Sequence, residues 1–394
     1  MIHDALIVGG GPAGSTAALL LARAGWSVVL AEKSVFPRRK VCGEFISATS
    51  MALLRELGVG DDFACAAGPE IRRVGLFAGE AVLTATMPRL ATQAACGRAL
   101  GRDRLDTLLL EAAARAGARL RQPAKVVGLV RVPNGFACTL AEERSAMQVA
   151  ARLVIAADGS WERSVLDTDA PLHRPHDLLA FKAHFRSGDL PGDLMPLLVF
   201  PGGYGGLVTS DDGRISLSCC IRRDRLEDCR RRYPLLRAAD AALQHIFASC
   251  AGARAALGAA QLDRAWLAAG PIRPGVRARH RDGVFMVGNR AGEAHPIVAE
   301  GISMAAQSAW LLARRLIARQ DEIMAERVRD DVAACYAADW DAAFAMRIRA
   351  AAAFAHLAMR PAAVALLLPV FRRFPAVLSW GATLSGKARQ VVAA

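Results

Sequence analysis

The sequence predicts an α/β fold: a parallel, nucleotide-binding sheet interleaved with an antiparallel sheet and followed by helices. Three observations carry this. An apolar strand at residues 4–9 runs into a glycine-rich turn and an alanine/leucine helix, and a second strand follows at 27–31. Apolar stretches broken by turns such as Pro201-Gly202-Gly203 and Asp211-Asp212-Gly213 occupy 72–86, 180–186, 197–210 and 214–221, as antiparallel strands do. From about Asp321 onward the pattern is helical.

The 394 residues are too many for one compact core and suit two interleaved domains. Segments 1–70, 91–168 and 271–320 form the nucleotide-binding domain; 71–90 and 169–270 form a β-sheet substrate domain; 321–394 form a C-terminal helical region. The helix at 103–116 closes at Gly117, a buried strand spans 149–157, the chain returns to the first sheet at 284–288, and a long helix covers 301–319.

At 53% hydrophobic residues the chain can bury a large core. The net charge is +13, and nearly all the positive charge is arginine, since lysine occurs only at Lys33, Lys40, Lys125, Lys182 and Lys387. The arginines are scattered, with no basic stripe interleaved with aromatics, so nucleic acid is not an expected partner. A basic surface suits anionic cofactors, acidic carrier proteins or anionic membranes instead. Nine cysteines without a CxxC pair or histidine at metal-ligand spacing read as reduced thiols in a cytoplasmic protein, with no metal. No apolar run reaches the ~18 residues a membrane span requires.

Gly9-Gly10-Gly11-Pro12-Ala13-Gly14 fits G-x-G-x-x-G between a strand and a helix. Gly9 permits the tight turn, Gly11 lets backbone approach a pyrophosphate, and Gly14 lets helix and strand pack closely, in the Rossmann manner. Pro12 and Ala13 lie in the turn before a helix expected over residues 15–24, whose N–H groups and dipole favour the anion. Glu32, at the end of the second strand, suits ribose hydroxyls. The fingerprint alone leaves NAD and FAD open.

Three further segments bear a family resemblance. Phe36-Pro37-Arg38-Arg39-Lys40-Val41-Cys42-Gly43-Glu44 resembles a segment of geranylgeranyl reductase-like flavoproteins and related monooxygenases. Ala157-Asp158-Gly159-Ser160, with Ser164-Val165, resembles the Asp-Gly motif of the para-hydroxybenzoate hydroxylase superfamily. Val287-Gly288-Asn289-Arg290-Ala291-Gly292 through Pro296, Gly301 and Ile302 resembles that superfamily's third FAD motif. The matches run from residue 4 to about 319 in the family's order, and imply FAD as cofactor.

The resemblance places Glu32, Lys33, Lys40, Cys42, Gly43, Val126 and Asp158 at the flavin nucleotide, with Arg102 and Asp106 on the helix that reaches its phosphates. It places Gly288, Asn289 and Pro296 beside the ribityl chain and ring, and Gly301 and Ile302 at a helix start aimed at the flavin pyrimidine edge. Asn289 stands where the family usually has Asp, which keeps the hydrogen-bonding shape and loses a charge. Glu44 stands where the reductases usually have Gly.

Two fates of the reduced flavin follow from the resemblance. In one, NADH or NADPH reduces the flavin and O2 gives a C4a-hydroperoxyflavin that hydroxylates a lipophilic aromatic or polyketide-type secondary metabolite, free or carrier-bound; this is the favoured reading. In the other, hydride passes to isolated double bonds of a polyprenyl lipid. A non-catalytic flavin-binding protein or synthase partner is the contrasting class. The chain lacks a Trp-x-Trp-x-Ile-Pro segment and the matching lysine, which argues against a halogenase.

His295, just before Pro296, is either a proton shuttle at the ring or a packing histidine; Glu44 either faces substrate or forms a structural ion pair. Glu293 and Glu300 flank the same loop. Lys182 and His184 share one strand face, which lines the pocket or meets water, and Tyr204 sits among glycines. Residues 350–371 are nearly all apolar, split at Arg360-Pro361: helices over a substrate tunnel, or a patch making peripheral contact with the inner membrane surface. The protein is expected to be a monomer or homodimer.

Overall fold

The computed structural model describes residues 1–88, 96–143, 145–161, 164, 165, 167, 173–323 and 325–387, with side chains described to residue 385. The first sheet has a parallel core in the order Arg119–Arg121, Val28–Ala31, Ile2–Val8, Ala146–Ala156, Val284–Met286. Residues 5–8 of Ile2–Val8 and all of Val28–Ala31 are buried on both faces, as their unbroken apolar runs require. The strands Lys125–Val132 and Gly135–Ala141 add an antiparallel hairpin against Ala146–Ala156.

The helix Pro12–Arg23 begins three residues before the expected start, with proline in its first turn, where the missing N–H costs nothing. It packs between the helices Arg102–Arg115 and Gly301–Ala318 on one side of the sheet.

The second sheet runs in the order Gln261–Leu262, Leu178–Arg186, Ile215–Arg222, Gly203–Thr209, Leu194–Phe200, Arg73–Ala78, Ala81–Thr86, with Leu267–Ile272 also against Leu178–Arg186. The expected strands are present, with one difference. Leu194–Phe200 pairs with Arg73–Ala78 in parallel, because these strands come from separate chain segments rather than a hairpin. One face, carrying Phe181, Phe185, Leu217 and Cys219, packs on the helices Arg223–Arg232, Ala238–Ser249 and Ala251–Leu257. The opposite face, carrying Lys182, His184, Tyr204 and Cys220, turns toward the nucleotide-binding sheet. The neighbours Cys219 and Cys220 lie in different clusters, as strand alternation demands.

The C-terminal helices are Glu326–Trp340, Met346–Ala358, Pro361–Arg373 and Ala376–Ala382. No single helix among the described residues is long and apolar enough to cross a membrane.

Candidate functional site

A cavity of about 920 Å³ extends from the Gly9–Gly14 turn, past the loop 40–44 and the loop 288–302, to the C-terminal helices. The turn is dictated by sterics. Gly9 has φ +102°, and a Cβ there would meet Ala157 O at 2.7 Å. At Gly14 a Cβ would fall 1.8 Å from Gly9 O, so helix and strand reach this spacing only with glycine.

The space over Gly11 is ringed by cations. A Cβ on Gly11 would lie 3.9 Å from both Arg102 Nη2 and Arg38 Nη2. Arg102 is held by a bidentate pair with Asp106, Nε–Oδ1 2.6 Å and Nη2–Oδ2 2.7 Å. Arg38 lies 3.7 and 3.6 Å from Glu32 and Asp106 and 4.6 Å over the Phe36 ring, and among the described residues its buried Nε has no hydrogen-bond partner. Burial, then the charges of Arg102 and Arg38, pull the Lys40 ammonium down to about 8. Crowded cations with an unsatisfied donor, beside a helix N-terminus, fit a pyrophosphate.

Glu32 is buried and accepts hydrogen bonds from the N–H groups of Gly10 at 2.8 Å and Ser34 at 2.9 Å. These fix its carboxylate at the cavity wall beside Lys33, Ala124 and Val126. Asp158 is locked by Arg290, Nε–Oδ1 2.7 Å, and Arg290 also holds Asp167 at 2.6 Å. This pair ties the Asp-Gly segment to the loop after Val284–Met286.

That loop reverses through a short helical turn Pro296–Val298 and Ala299 at φ +53°, and then enters the helix at Gly301. Gly288, Asn289, Glu293, His295, Pro296, Gly301 and Ile302 all line the cavity. The amide groups of this helix's first turn have no partner within the helix, and form a donor cluster where a flavin's pyrimidine edge would gain from it. Glu293 is spoken for: it accepts from Ser160 and Trp161, each at 2.7 Å, and meets Arg277 at 3.2 Å. Glu300 holds the position before the helix without a side-chain cap bond, and accepts from Ser47 Oγ at 3.0 Å.

His295 Nδ1 and Tyr204 Oη share a hydrogen bond of 3.1 Å. Burial, and then the proximity of His356, push the His295 imidazole down to about 4, so it is neutral at ordinary pH. Burial drives the Tyr204 phenol well above its usual range. Both residues line the cavity.

Lys182 and His184 correct the reading of their strand face, which was expected to line the pocket or meet water. Their side chains turn to Glu44, which alone of the three borders the cavity. Lys182 Nζ and His184 Nε2 each lie 2.8 Å from Glu44 Oε2, and Lys182 also donates to Cys42 O at 2.9 Å and Ser216 Oγ at 2.5 Å. All three side chains are buried. Burial alone would raise the Glu44 carboxyl, but Lys182 and the His184 hydrogen bond override it and hold the carboxylate far below its usual range. Glu44 itself has φ +64°, and the triad offsets that strain. The cluster pins the Cys42–Glu44 turn under the cavity floor. The sequence also passed over Arg38, whose signal was the basic run Arg38-Arg39-Lys40 shortly after Glu32.

The family described as "FAD binding domain" matches residues 3–327. A menaquinone reductase of Mycobacterium tuberculosis is 34% identical over 163 residues, 40% of this chain and 38% of that protein. A 2,4-dichlorophenol 6-monooxygenase of Cupriavidus pinatubonensis is 27% identical over 187 residues, 43% of this chain and 31% of that protein. The chain thus spans well under half the length of these curated relatives. The solved structure of the flavin-dependent brominase Bmp2 superposes with a TM-score of 0.76 at 17% identity, covering 98% of this chain and 94% of that one, a likeness of fold. The fingerprint turn, the cationic ring over Gly11 and the match across residues 3–327 agree: the chain belongs to the FAD binding domain family, within the para-hydroxybenzoate hydroxylase superfamily of flavoproteins.

Proposed function

We propose that this protein is an NAD(P)H-dependent monooxygenase that hydroxylates a lipophilic aromatic or polyketide-type molecule, free or carrier-bound. Bound FAD, reduced by NADH or NADPH, would supply the activation of O2. The carrying observation is the make-up of the cavity beyond the loop 288–302. Its far walls are Leu76, Leu197, Val199, Val364, Leu368 and Phe371, so an apolar substrate is accommodated and water is displaced.

Among the polar groups lining this cavity are His295 and Tyr204. His295 is neutral and Tyr204 holds its proton tightly, so the pair orients a substrate hydroxyl by hydrogen bonding and is a poor acid near pH 7. Saturation of an isolated double bond needs a proton delivered to carbon, whereas hydroxylation of an electron-rich ring does not. That contrast favours oxygenation. The first-turn amides at Gly301 and Ile302 would stabilise negative charge on a bound flavin without a titrating side chain. Buried Glu44, fixed by Lys182 and His184, holds the turn on which the ring system would rest.

A second reading, hydride reduction of double bonds in a polyprenyl chain, is favoured by the likeness to a menaquinone reductase. One assay separates them. The FAD-loaded protein is given NADH or NADPH and a panel of lipophilic phenols and polyprenyl quinones under 18O2, and products are weighed. Gain of one 18O atom supports the monooxygenase. Gain of two hydrogens without 18O that persists after any quinol is reoxidised transfers the assignment to the reductase, and absence of any nicotinamide oxidation points to a non-catalytic flavoprotein.

A further inference from the structure

The helix Pro361–Arg373 is apolar on both sides. Val364, Leu368 and Phe371 face inward onto the second sheet, near Leu83 and Leu197, yet no residue of the helix is fully buried. Its outward side is also apolar, with Leu366 78% and Val370 47% exposed, and the chain continues with Phe374 and Trp380 at 57% and 65%. A surface helix of a water-bathed protein carries a polar outer face; this one does not.

Charge gives the patch its partner. From residue 342 to 394 the sequence contains seven basic residues and no acidic one. Arg349, Arg360, Arg372 and Arg373 are exposed around the apolar side chains. The helices Met346–Ala358 and Pro361–Arg373 meet at a sharp bend, 101° between the long helical stretch Glu326–Ala358 and Pro361–Arg373, which suits an element lying along a surface. The patch also coincides with the cavity mouth: Phe354, Leu357, Leu367, Trp380 and Leu384 line the cavity and are each more than a third exposed.

We propose that the C-terminal helices dock on an anionic phospholipid surface, with Leu366, Val370 and Phe374 entering the acyl boundary and the arginines meeting the headgroups. The cavity mouth then opens into the lipid, and a lipophilic substrate passes from bilayer to flavin without crossing water. The substrate route rests on the proposed oxygenation of a lipophilic molecule; the docking does not, and is read without turnover.

The test is co-sedimentation of the FAD-loaded protein with vesicles of phosphatidylcholine containing about one-third phosphatidylglycerol, against pure phosphatidylcholine, at low and moderate salt. Binding to the anionic vesicles, weakened by salt and released by alkaline carbonate, is expected. Leu366→Asp with Val370→Asp changes side chains outside the cavity lining, and should lower the bound fraction at least tenfold while retaining flavin. Arg372→Glu with Arg373→Glu should lower binding and flatten its salt dependence. Three results overturn the proposal: no binding at low salt, equal binding by the Asp pair, or a solution dimer that the Asp pair dissociates, which would make the patch a contact between two copies.

Discussion

Lys182 Nζ stands 2.8 Å from Glu44 Oε2, with both side chains buried and His184 at the same distance from the same oxygen. An isolated carboxylate would not survive there. Truncating one partner of a buried pair strands the other, at a cost of about 3–5 kcal/mol. Lys182→Met is expected to lower the unfolding free energy by that amount in urea titration, and Glu44→Gln added to it should recover part of the loss. A loss under about 1 kcal/mol in the single variant would show that the pair carries little.

The same carboxylate sets an acid limit. The Glu44 pKa is depressed in the folded protein, so its contribution is complete above the unfolded value near 4.5 and is lost as pH falls toward the folded value. Thermal midpoints should therefore decline below about pH 4.5, less steeply in Glu44→Gln.

Lys40 titrates within reach. With its ammonium at about 8 beside Arg102 and Arg38, it is charged at pH 7 and largely neutral at pH 9, while Asp106 and Glu32 oppose that loss. A bound pyrophosphate favours the protonated form, so binding takes up a proton as pH rises past 8. The FAD dissociation constant, followed by flavin fluorescence, should weaken between pH 7 and 9. Lys40→Met should bind about tenfold or more weakly and lose that pH dependence.

Gly14→Ala puts a methyl group 1.8 Å from Gly9 O. The helix must move off the strand, and the protein should be purified with little flavin absorbance and a lowered thermal midpoint. Retention of stoichiometric FAD would contradict the tight turn.

Tyr204→Phe leaves His295 Nδ1 without its 3.1 Å partner. An unsatisfied buried group costs about 1–3 kcal/mol. Because His295 is neutral from about pH 5 upward, the variant's turnover should show no new titration between pH 6 and 8; one appearing there would mean that Tyr204 sets the histidine's protonation.

Much of this was legible in the residues. The turn Gly9–Gly14 and Glu32 have local causes, steric and electrostatic, written within about thirty positions. The apolar runs gave the parallel strands, and turn residues gave the second sheet. The helices Arg223–Arg232 and Ala251–Leu257 leave little trace in the sequence, because the first buries only Leu226 and Cys229 and the second spans seven residues, too few for an apolar period to repeat. The roles of Lys182 and His184 depend on the segment Cys42–Glu44, 140 positions away for each hydrogen bond. Period-two alternation assigns a face, and only the tertiary fold says what covers that face.

The parallel pairing of Leu194–Phe200 with Arg73–Ala78 also dictates an order of events during synthesis. When the ribosome has made the first strand and its hairpin partner Ala81–Thr86, one edge lies open until more than a hundred further residues emerge. A truncated product ending before residue 194 would expose that edge to other chains, so premature termination here should yield aggregates rather than a stable nucleotide-binding fragment.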